Sequence, residues 1–436
     1  MPESVRQRNK RTIVIGAGIA GLLSARVSSV FSDEVLVIDA DSLRNDPAAR
    51  ALTPQGKHPH LLLARGEEIV ELLLAGFGRK LDEDGVPKVQ LGKSVGWFNP
   101  KGLVRDFAPT IDMHSATRGF FEWKIRTMLD GDSIKFVDKK KVAELVIEKN
   151  TVMGVRAGGE DFQADLVVDA SGRNAITPML FDRAGIPRAK ETVIDSDVGY
   201  ASRRFKRIED INGRWNAIYI QPTAQNGMTG GAILPIENGE SIVGLTGIGG
   251  VHPPSDPSGW MEFAARMREP AIYDAIKDAE PVSEISVYNG MMNRLRHYEK
   301  ARMPGNFVVI GDAVCAFDPL YGQGMTAAAL GALELAQWLR EGNLQDTVSF
   351  QKRLRKVSEP LWLMAAIEDT RLAGVGGKTA SMRMYQFILD KVFDSATRNE
   401  RMARNFAEVV NVLMPKEVVL GPEHTLTLLR SILRNR

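Results

Sequence analysis

The sequence predicts an α/β protein that begins with a parallel β-sheet unit, continues through a β-rich middle and ends in helices. At its start, the β-branched run "TIVI" (12–15) leads through "GAGIAG" and the helical pattern "LLSARVSSVF" to a second apolar run, "EVLVID" (34–39). Strand, glycine turn, helix and strand in this order are typical of a parallel βαβ unit. Strand-like runs then crowd residues 198–250, and the pattern from residue 329 onward is mostly helical.

The remaining elements follow from changes in hydrophobic periodicity along the chain. Residues 61–75 have a helical pattern, whereas residues 86–107 contain strand-like runs with a turn at "NPKG". After the helical stretch "RGFFEWKIRTMLDG", short antiparallel strands are expected to close on a buried strand at 164–169. A helix over 258–277 interrupts the later strands, and "FVVIGDA" (307–313) predicts another buried strand, ended by Gly-Asp.

Composition narrows the class of protein. The chain has 436 residues, of which 44% are hydrophobic and 25% charged, as is usual for a soluble globular protein. Its net charge of +2 argues against a nucleic-acid-binding surface. The single cysteine, Cys315, excludes an internal disulfide and favours a reducing, cytoplasmic location. Because no segment approaches 18 uninterrupted apolar residues, no transmembrane helix is expected.

The glycine turn after the first strand predicts a dinucleotide site. Gly16, Gly18 and Gly21 form the pattern G-x-G-x-x-G, which allows a tight turn, close approach to a pyrophosphate and close helix–strand packing. Asp39 follows 18 residues after Gly21, at the end of the next strand. That spacing is expected for an acid that hydrogen-bonds a ribose hydroxyl.

A second motif, residues 306–332, indicates that the dinucleotide is FAD. Gly311 and Asp312 end a buried strand, so the Asp312 carboxylate is placed to accept hydrogen bonds from a ribityl chain. Gly322 and Gly324 allow the backbone to approach a planar ring. The helix that starts near Met325 directs its positive end at that ring and stabilises negative charge, as on a reduced flavin.

These motifs carry a family resemblance. "GAGIAG", "ADLVVDASGR" and "VVIGDAVCAFDPLYGQGM", in this order, resemble the FAD-dependent monooxygenases of the para-hydroxybenzoate hydroxylase fold over roughly residues 1–345. "QGKHPHLLLARG" and "CAFDPLYGQGMTAA" are most similar to bacterial natural-product oxygenases and epoxidases. The resemblance implies the following FAD-binding residues: Gly16, Gly18, Gly21, Asp39, Arg118, Gly311, Asp312, Pro319, Gly322, Gln323, Gly324 and Met325.

The motifs and the resemblance together predict the domain organisation. We expect a discontinuous, Rossmann-like FAD-binding domain, an inserted β-rich substrate domain and a helical C-terminal lobe. The predicted FAD-binding domain comprises residues 1–80, 108–180 and 290–345, the β-rich domain residues 81–107 and 181–289, and the lobe residues 346–436.

Two positions depart from the family pattern. Asp39 stands where the family commonly has glutamate, and Asp also binds a ribose. Ser171 and Gly172 stand where the family usually has Asp-Gly, and the nearest acid is Asp169. The family's Asp-Gly dipeptide is linked to reduction by NAD(P)H. The sequence therefore leaves open whether NAD(P)H reduces the flavin directly or through a partner flavin reductase.

The histidines of "QGKHPHLLLARG" have four interpretations. His58 and His60 share a face of an extended segment, as metal ligands do, but no motif supplies a third ligand, and no metal site is expected. An acid/base role near the flavin, together with Lys57, is a second interpretation. Capping of the helix over 61–75 is a third. The favoured one is a loop wall beside the flavin, where Lys57 and the imidazoles offer hydrogen bonds.

The resemblance implies a monooxygenase that hydroxylates or epoxidises an aromatic or unsaturated organic substrate, either a small molecule or a peptide side chain. Trp97, Trp215 and Tyr219 are candidate pocket residues. Three alternatives stay open: a flavin-dependent halogenase, a double-bond reductase of the same fold, and a non-catalytic binding module. The halogenase pattern W-x-W-x-I-P is missing, since no two of the six tryptophans lie two positions apart.

Overall fold

The computed structural model of the chain describes residues 8–129, 131, 133–318, 322–372 and 380–415. Its strands in chain order are β1 (Asn9–Ile15), β2 (Ser32–Ile38), β3 (Lys88–Leu91), β4 (Val95–Asn99), β5 (Gly102–Leu103), β6 (Ile111–His114), β7 (Ile134–Val137), β8 (Val142–Glu148), β9 (Thr151–Ala157), β10 (Glu160–Gln163), β11 (Leu166–Asp169), β12 (Glu191–Lys206), β13 (Ala217–Ile220), β14 (Thr229–Ile236), β15 (Glu240–Gly247), β16 (Ser286–Arg296), β17 (Phe307–Val309) and β18 (Cys315–Ala316). Its α-helices are α1 (Ile19–Phe31), α2 (Ala64–Leu73), α3 (Phe77–Glu83), α4 (Arg118–Met128), α5 (Thr177–Arg183), α6 (Pro257–Ala265), α7 (Ala271–Ile276), α8 (Gly324–Glu341), α9 (Thr347–Leu372), α10 (Ala380–Ala396) and α11 (Glu400–Val410).

A five-stranded parallel sheet forms the first layer, in the order β17-β11-β1-β2-β7. All four residues of β11 are buried, as expected for a strand inside a parallel sheet. This confirms the predicted βαβ start and the α/β class. One expectation was wrong: β7 is a parallel edge strand beside β2 and not one of the antiparallel strands. Helix α4 returns the chain to the same end of the sheet before β7 starts, and such a crossover makes the next strand parallel.

An eight-stranded sheet forms the second layer, in the order β18-β16-β12-β15-β14-β13-β4-β5. β16 continues to Arg296 and β18 joins the same edge, so this sheet includes residues beyond the predicted boundary at 290. The helix predicted over 258–277 is two helices, α6 and α7, with Pro270 at the N-cap of the second. Proline has no backbone N–H and favours a helix start at this position.

Two smaller sheets complete the β structure of the described residues: β10-β9-β8 is antiparallel, and β3 pairs with β6. β8, β9 and β10 confirm the short antiparallel strands predicted before the buried strand β11.

The C-terminal helices pack on both layers. α9 contributes Phe350, Leu354 and Leu361 to the core around the parallel sheet. α10 and α11 contribute Phe393 and Phe406 to a second core on the large sheet. None of the helices in the described part of the chain is both long and apolar enough to cross a membrane.

Candidate active site

A cavity of about 270 Å³ lies where the two large sheets face each other. Its wall combines the N-termini of α1 and α8, the segment 55–63, strands β4, β13, β14 and β15, and the end of α11. Both motifs that the sequence singles out therefore open into the same space.

The glycines of the first turn are required by close packing. Gly16 has φ +99°, and a Cβ there would lie 2.6 Å from the Ala170 carbonyl oxygen. A Cβ at Gly21 would lie 1.8 Å from the Gly16 carbonyl oxygen, so no side chain fits. The turn thus holds α1 directly against β1 and β11.

The N-terminus of α1 faces a buried ion network. Gly18 is the N-cap, and the first turn contains no acidic residue and no side-chain cap. The Arg118 guanidinium lies 3.5 Å from where a Gly18 Cβ would be and pairs with Glu122 at 2.8 Å. Arg50 pairs with Glu122 at 3.1 Å. Burial alone would raise the pKa of Glu122, but Arg118 and Arg50 outweigh it and lower the pKa.

Asp39 lies under this network and is already well held. Its carboxylate accepts hydrogen bonds from the backbone N–H groups of Ala17 at 2.6 Å and Asp41 at 2.7 Å. It also pairs with Arg50 at 2.8 Å. A carboxylate has about four acceptor positions, so one remains for a ligand hydroxyl. Asp39 does not line the main cavity.

The Gly-Asp motif borders the cavity beside α8. Gly311 has φ +64°, and a Cβ there would lie 2.6 Å from the Ala20 Cβ, so this turn packs tightly on α1. Asp312 lines the cavity, and its carboxylate is 3.8 Å from where a Gly324 Cβ would be.

The start of α8 completes this side of the cavity. Gly322, Gly324 and Met325 line it, and Gly322 has φ +66°. Gln323 is the N-cap residue; within the described residues its side-chain oxygen has no hydrogen-bond partner. Pro319 lies outside the described residues.

Asp169, the acid of "DASGR", serves the chain itself. Its carboxylate accepts hydrogen bonds from the backbone N–H groups of Ser171 at 2.9 Å and Thr177 at 3.1 Å, and from the Thr177 hydroxyl. It is fully buried, and burial raises its pKa. Asp169 therefore fixes the turn that leads into α5, while Gly172 and Arg173 line the cavity.

The histidine segment joins the two sheets. His58 is buried, and its Nδ1 lies 2.8 Å from the Ser202 hydroxyl on β12. Pro59 packs on β15, where a Cβ at Gly244 would be 2.6 Å from the proline ring. His60 turns back, and its Nδ1 lies 2.8 Å from the His58 carbonyl oxygen, to which it donates. Both imidazoles line the cavity.

Both imidazoles are neutral at pH 7. Burial, followed by the charge of Lys57, lowers the pKa of His58 to about 4. Burial, followed by the charge of Arg118, lowers the pKa of His60 to about 4. No group of three or more metal-ligating side chains gathers in the described ranges.

The structure corrects two expectations for this segment. Lys57 is exposed at the end of a 3-10 helix, Pro54–Lys57, whose turn buries Gly56 instead, so Lys57 is not part of the cavity wall. Neither histidine caps the following helix. Asn411 does so, because its Oδ1 accepts the Ala64 N–H of α2 at 3.1 Å.

Of the three aromatic residues predicted to line the pocket, two line the cavity and one does not. Trp97 and Tyr219 line the cavity, and Trp97 stacks on Phe406 of α11 with ring centroids 5.1 Å apart. Trp215 does not. It covers Gly96 and meets Phe98 edge-to-face at 5.8 Å, on the opposite face of β4 from Trp97. Successive residues of a strand point to opposite faces. Trp215 packs on the face of β4 that carries Gly96 and Phe98, whereas Trp97 lies on the other face.

Two curated proteins are similar to this chain over most of its length. No protein-family model matches the chain. It is 29% identical over 379 residues to Protein Rv3254 of Mycobacterium tuberculosis, covering 82% of this chain and 79% of that protein. It is 22% identical over 366 residues to violacein synthase of Chromobacterium violaceum, covering 80% and 82%.

Among solved structures, the flavin-dependent brominase Bmp2 superimposes with a TM-score of 0.67 at 17% identity, covering 97% of this chain and 98% of that one. The 2-methyl-3-hydroxypyridine-5-carboxylic acid oxygenase superimposes with a TM-score of 0.60 at 17% identity, covering 91% and 98%. This chain has the FAD-binding fold of para-hydroxybenzoate hydroxylase. The resemblance that its motifs suggested is confirmed at the level of the fold.

The residues around the cavity fit FAD, the cofactor that this fold implies. Within the described residues no side chain caps the N-termini of α1 and α8, so their backbone N–H groups can bind anionic groups. Arg50 and Arg118 supply positive charge beside Gly18, where a pyrophosphate would lie. The glycine turns leave space for close backbone approach. The donor set is therefore cationic at the phosphate end and backbone-rich at the ring end.

Sequence reasoning missed a buried polar cluster behind the cavity wall. The Tyr200 hydroxyl donates to Asp318 at 3.0 Å, and the Asp318 N–H donates to the Asn293 side chain at 2.6 Å. Asn293 in turn donates to Asp369 of α9. These residues lie far apart along the chain, so no local pattern could reveal them. The only sequence-level indication is a pair of acids, Glu368 and Asp369, within an apolar helical stretch.

Proposed function

We propose that this protein is an FAD-dependent monooxygenase that inserts one oxygen atom from O2 into an aromatic or unsaturated organic substrate, by hydroxylation or epoxidation. One observation carries the proposal. A glycine-lined region flanked by two helix N-termini opens directly into an apolar cavity that contains Trp97 and Tyr219. A flavin and an organic substrate can therefore share one space.

The cofactor would be held by residues of both motifs. Gly16, Gly18 and Gly21 form its cradle with Arg118, and Asp39 remains the acid for the ribose. Asp312, Gly322, Gly324 and Met325, which line the cavity, would surround the ribityl chain and the ring together with Gly311 and Gln323. When bound and reduced, FAD supplies the oxygen-activating chemistry.

The protein's own contribution is enclosure and orientation. Apolar side chains from β3, β4, β14 and α11 exclude water from the substrate side. His58 and His60, neutral at pH 7, are the candidate hydrogen-bonding groups for substrate or cofactor. Because the His60 Nδ1–H is donated to the His58 carbonyl, the unprotonated Nε2 of His60 is a hydrogen-bond acceptor. Few further acids or bases are needed for this chemistry.

The source of electrons is part of the proposal. Asp169 is committed to the turn at Ser171, which favours a partner flavin reductase over direct reduction by NAD(P)H. Under anaerobic conditions, NADH or NADPH should bleach the bound flavin slowly at best, whereas addition of a flavin reductase should restore the rate. Rapid bleaching by either nucleotide alone would establish direct reduction.

Cofactor binding and oxygen chemistry test the central claim. The purified protein should bind FAD, and Asp312→Ala should weaken binding at least about 10-fold, since a charge-assisted hydrogen bond is lost. Asp112→Ala, at an exposed position on β6, is the matched control and should leave affinity unchanged. Photoreduced enzyme should then consume oxygen and place label from ¹⁸O₂ in a product. A protein that fails to bind FAD under any condition overturns the proposal.

A flavin-dependent halogenase is the second candidate, because the brominase Bmp2 shares the fold over nearly the whole chain. Such enzymes use a lysine between flavin and substrate. The described cavity wall contains no lysine, and Lys57 is exposed. Bromide or chloride should therefore leave the products unchanged. A halogenated product would make halogenation the correct assignment.

A further inference from the structure

One part of the cavity is built almost entirely of carbon. Strands β3, β4, β6 and β14 and the end of α11 contribute Val89, Leu91, Trp97, Met113, Leu234 and Val410 to its wall. The only polar group among these side chains, the Trp97 N–H, is already used, because it lies 3.3 Å from the Gln221 side-chain oxygen. A ligand group placed here meets no free hydrogen-bond partner from these six residues.

The charged side chains of the described wall are elsewhere. They are Arg118, Arg173 and Asp312. Arg118 is paired with Glu122 beside Gly18. Asp312 lies against the start of α8.

Arg173 is held by the backbone. It donates to the Met292 carbonyl at 2.8 Å and to the Phe317 carbonyl. All three charged groups therefore lie in the cofactor motifs or close to them, and none is among the six residues of the apolar part.

Behind the wall lies a cluster of buried acids. Tyr200 and Tyr219 line the cavity, and the Tyr200 hydroxyl donates to Asp318 at 3.0 Å. Asn293 connects Asp318 to Asp369 by hydrogen bonds, and Glu368 precedes Asp369 on α9. Both acids are no more than 2% exposed. Burial, then the charges of Glu368 and Asp318, raises the pKa of Tyr219 well above its usual value.

We propose that the cavity selects an uncharged, hydrophobic substrate and rejects molecules that carry a carboxylate or another anionic group. This inference rests on the proposed function, since it names the substrate class of the same site. An anion in the apolar part would lose its hydration without gaining a cation. A neutral aromatic or alkenyl molecule loses little hydration and gains contacts with the apolar wall.

Three matched probes separate charge from size. The holoenzyme, reconstituted with FAD, is titrated at pH 7.5 with 2-naphthol, 6-hydroxy-2-naphthoate and the methyl ester of that acid, with the flavin absorbance as readout. The naphthol and the ester should bind, and the carboxylate should bind about 100-fold more weakly. The ester is larger than the acid, so a size limit cannot produce this order.

The opposite results are equally clear. If the acid binds as tightly as the ester, or if none of the three binds, the substrate assignment is wrong. A fourth probe, 2-(aminomethyl)naphthalene, tests the alternative that the buried acids select a cation. Tighter binding of this amine than of the naphthol would also overturn the assignment.

A variant pair places the selectivity in the apolar part. Leu234→Arg introduces a cation there and should tighten binding of the carboxylate at least about 10-fold while weakening binding of the naphthol. Leu72→Arg makes the same change at a leucine that is 72% exposed on α2 and should alter neither. The comparison of ester and acid in the unaltered protein does not depend on either variant folding.

The outcome is distinguishable from failure of the proposed function. FAD binding and oxygen uptake are measured on the same preparation. If both are found but the acid binds like the ester, only the substrate class is wrong. If FAD does not bind, the proposed function fails, and the probes are compared in the FAD-free protein through the fluorescence of Trp97 and the other tryptophans.

Discussion

His58 should contribute to the pH dependence of stability. It is buried against Ser202, and burial lowers its pKa to about 4 from 6.5, which corresponds to roughly 3 kcal/mol of unfolding free energy. Because the unfolded chain binds this proton more tightly, the stability is complete above pH 6.5 and is lost as the pH falls through 4. Denaturant midpoints between pH 7 and 4 should fall less steeply in His58→Gln.

The control for this prediction is His252→Gln. His252 is partly exposed and contacts Asp197 at 3.0 Å, away from the cavity wall. Its replacement should leave the pH profile of the unaltered protein in place. An identical slope for His58→Gln and the unaltered protein would contradict a neutral, buried His58.

Asp369 should destabilise the protein as the pH rises. Burial, then the charge of Asp318, raises its pKa to about 9. The folded protein therefore binds this proton more tightly than the unfolded chain does. The resulting stability is complete below the ordinary carboxyl pKa of about 4 and is lost as the pH rises towards 9.

Asp369→Asn keeps the shape and an acceptor for Asn293 but carries no charge. It should raise the free energy of unfolding by at least about 1 kcal/mol at pH 8 and make it less dependent on pH. Asp33→Asn, in an exposed pair with Arg8, should change it by less than about 0.5 kcal/mol. A destabilised Asp369→Asn would show that the carboxylate is charged and compensated.

For single residues, the sequence predicts a structural role where the reason for that residue type lies in the neighbouring sequence. Gly16 and Gly21 could be predicted because only glycine fits a turn in which the helix start touches the preceding strand. Arg50 and Asp369 could not, because their partners Glu122 and Asn293 are distant in sequence. Trp215 and Tyr219 are close in sequence, yet the structure places them on different faces.

The elements show a similar division. Strands β1 and β2 and helix α1 follow directly from periodicity, because each buries a continuous apolar face. The direction of β7 does not, because a four-residue strand has the same pattern whether its neighbour is parallel or antiparallel. The start of α2 also depends on tertiary structure, since its capping group comes from the end of α11.

That cap gives a prediction for the two helices. The Asn411 Oδ1 accepts the Ala64 N–H, and the Asn411 carbonyl accepts the Arg65 N–H at 3.3 Å. Asn411→Ala removes the first of these bonds and should lower the free energy of unfolding by about 1 kcal/mol. Chemical denaturation measures this, with Asn343→Ala at an exposed site as the control. Equal stability of both variants would mean that water replaces the cap without cost.

Over the whole molecule, the two main sheets are joined by the chain and by side chains. β17 belongs to the parallel sheet, whereas β16 before it and β18 after it belong to the large sheet. The sequence predicts a discontinuous FAD-binding domain, because the cofactor motifs lie on either side of the β-rich stretch. It does not predict whether the two sheets unfold together, because this is determined by contacts between residues that are distant in sequence, such as those of Arg296.

Arg296 links the two sheets and should make them unfold together. It is 4% exposed, pairs with Glu191 at 2.9 Å, and donates to the Ala313 carbonyl at 2.9 Å and the Arg173 carbonyl at 3.3 Å. In the unaltered protein, β11 and β15 should therefore lose protection from hydrogen exchange at the same denaturant concentration.

Arg296→Met breaks this link and leaves buried carbonyls without a donor, so it should lower the free energy of unfolding by about 2 kcal/mol and separate the two transitions. Arg294→Met is the matched control: Arg294 also pairs with Glu191, at 3.1 Å, but it is more exposed. Its replacement should cost less than about 0.5 kcal/mol and keep the transitions together. Separate transitions in the unaltered protein would show that the two sheets are independent folding units joined only by the chain.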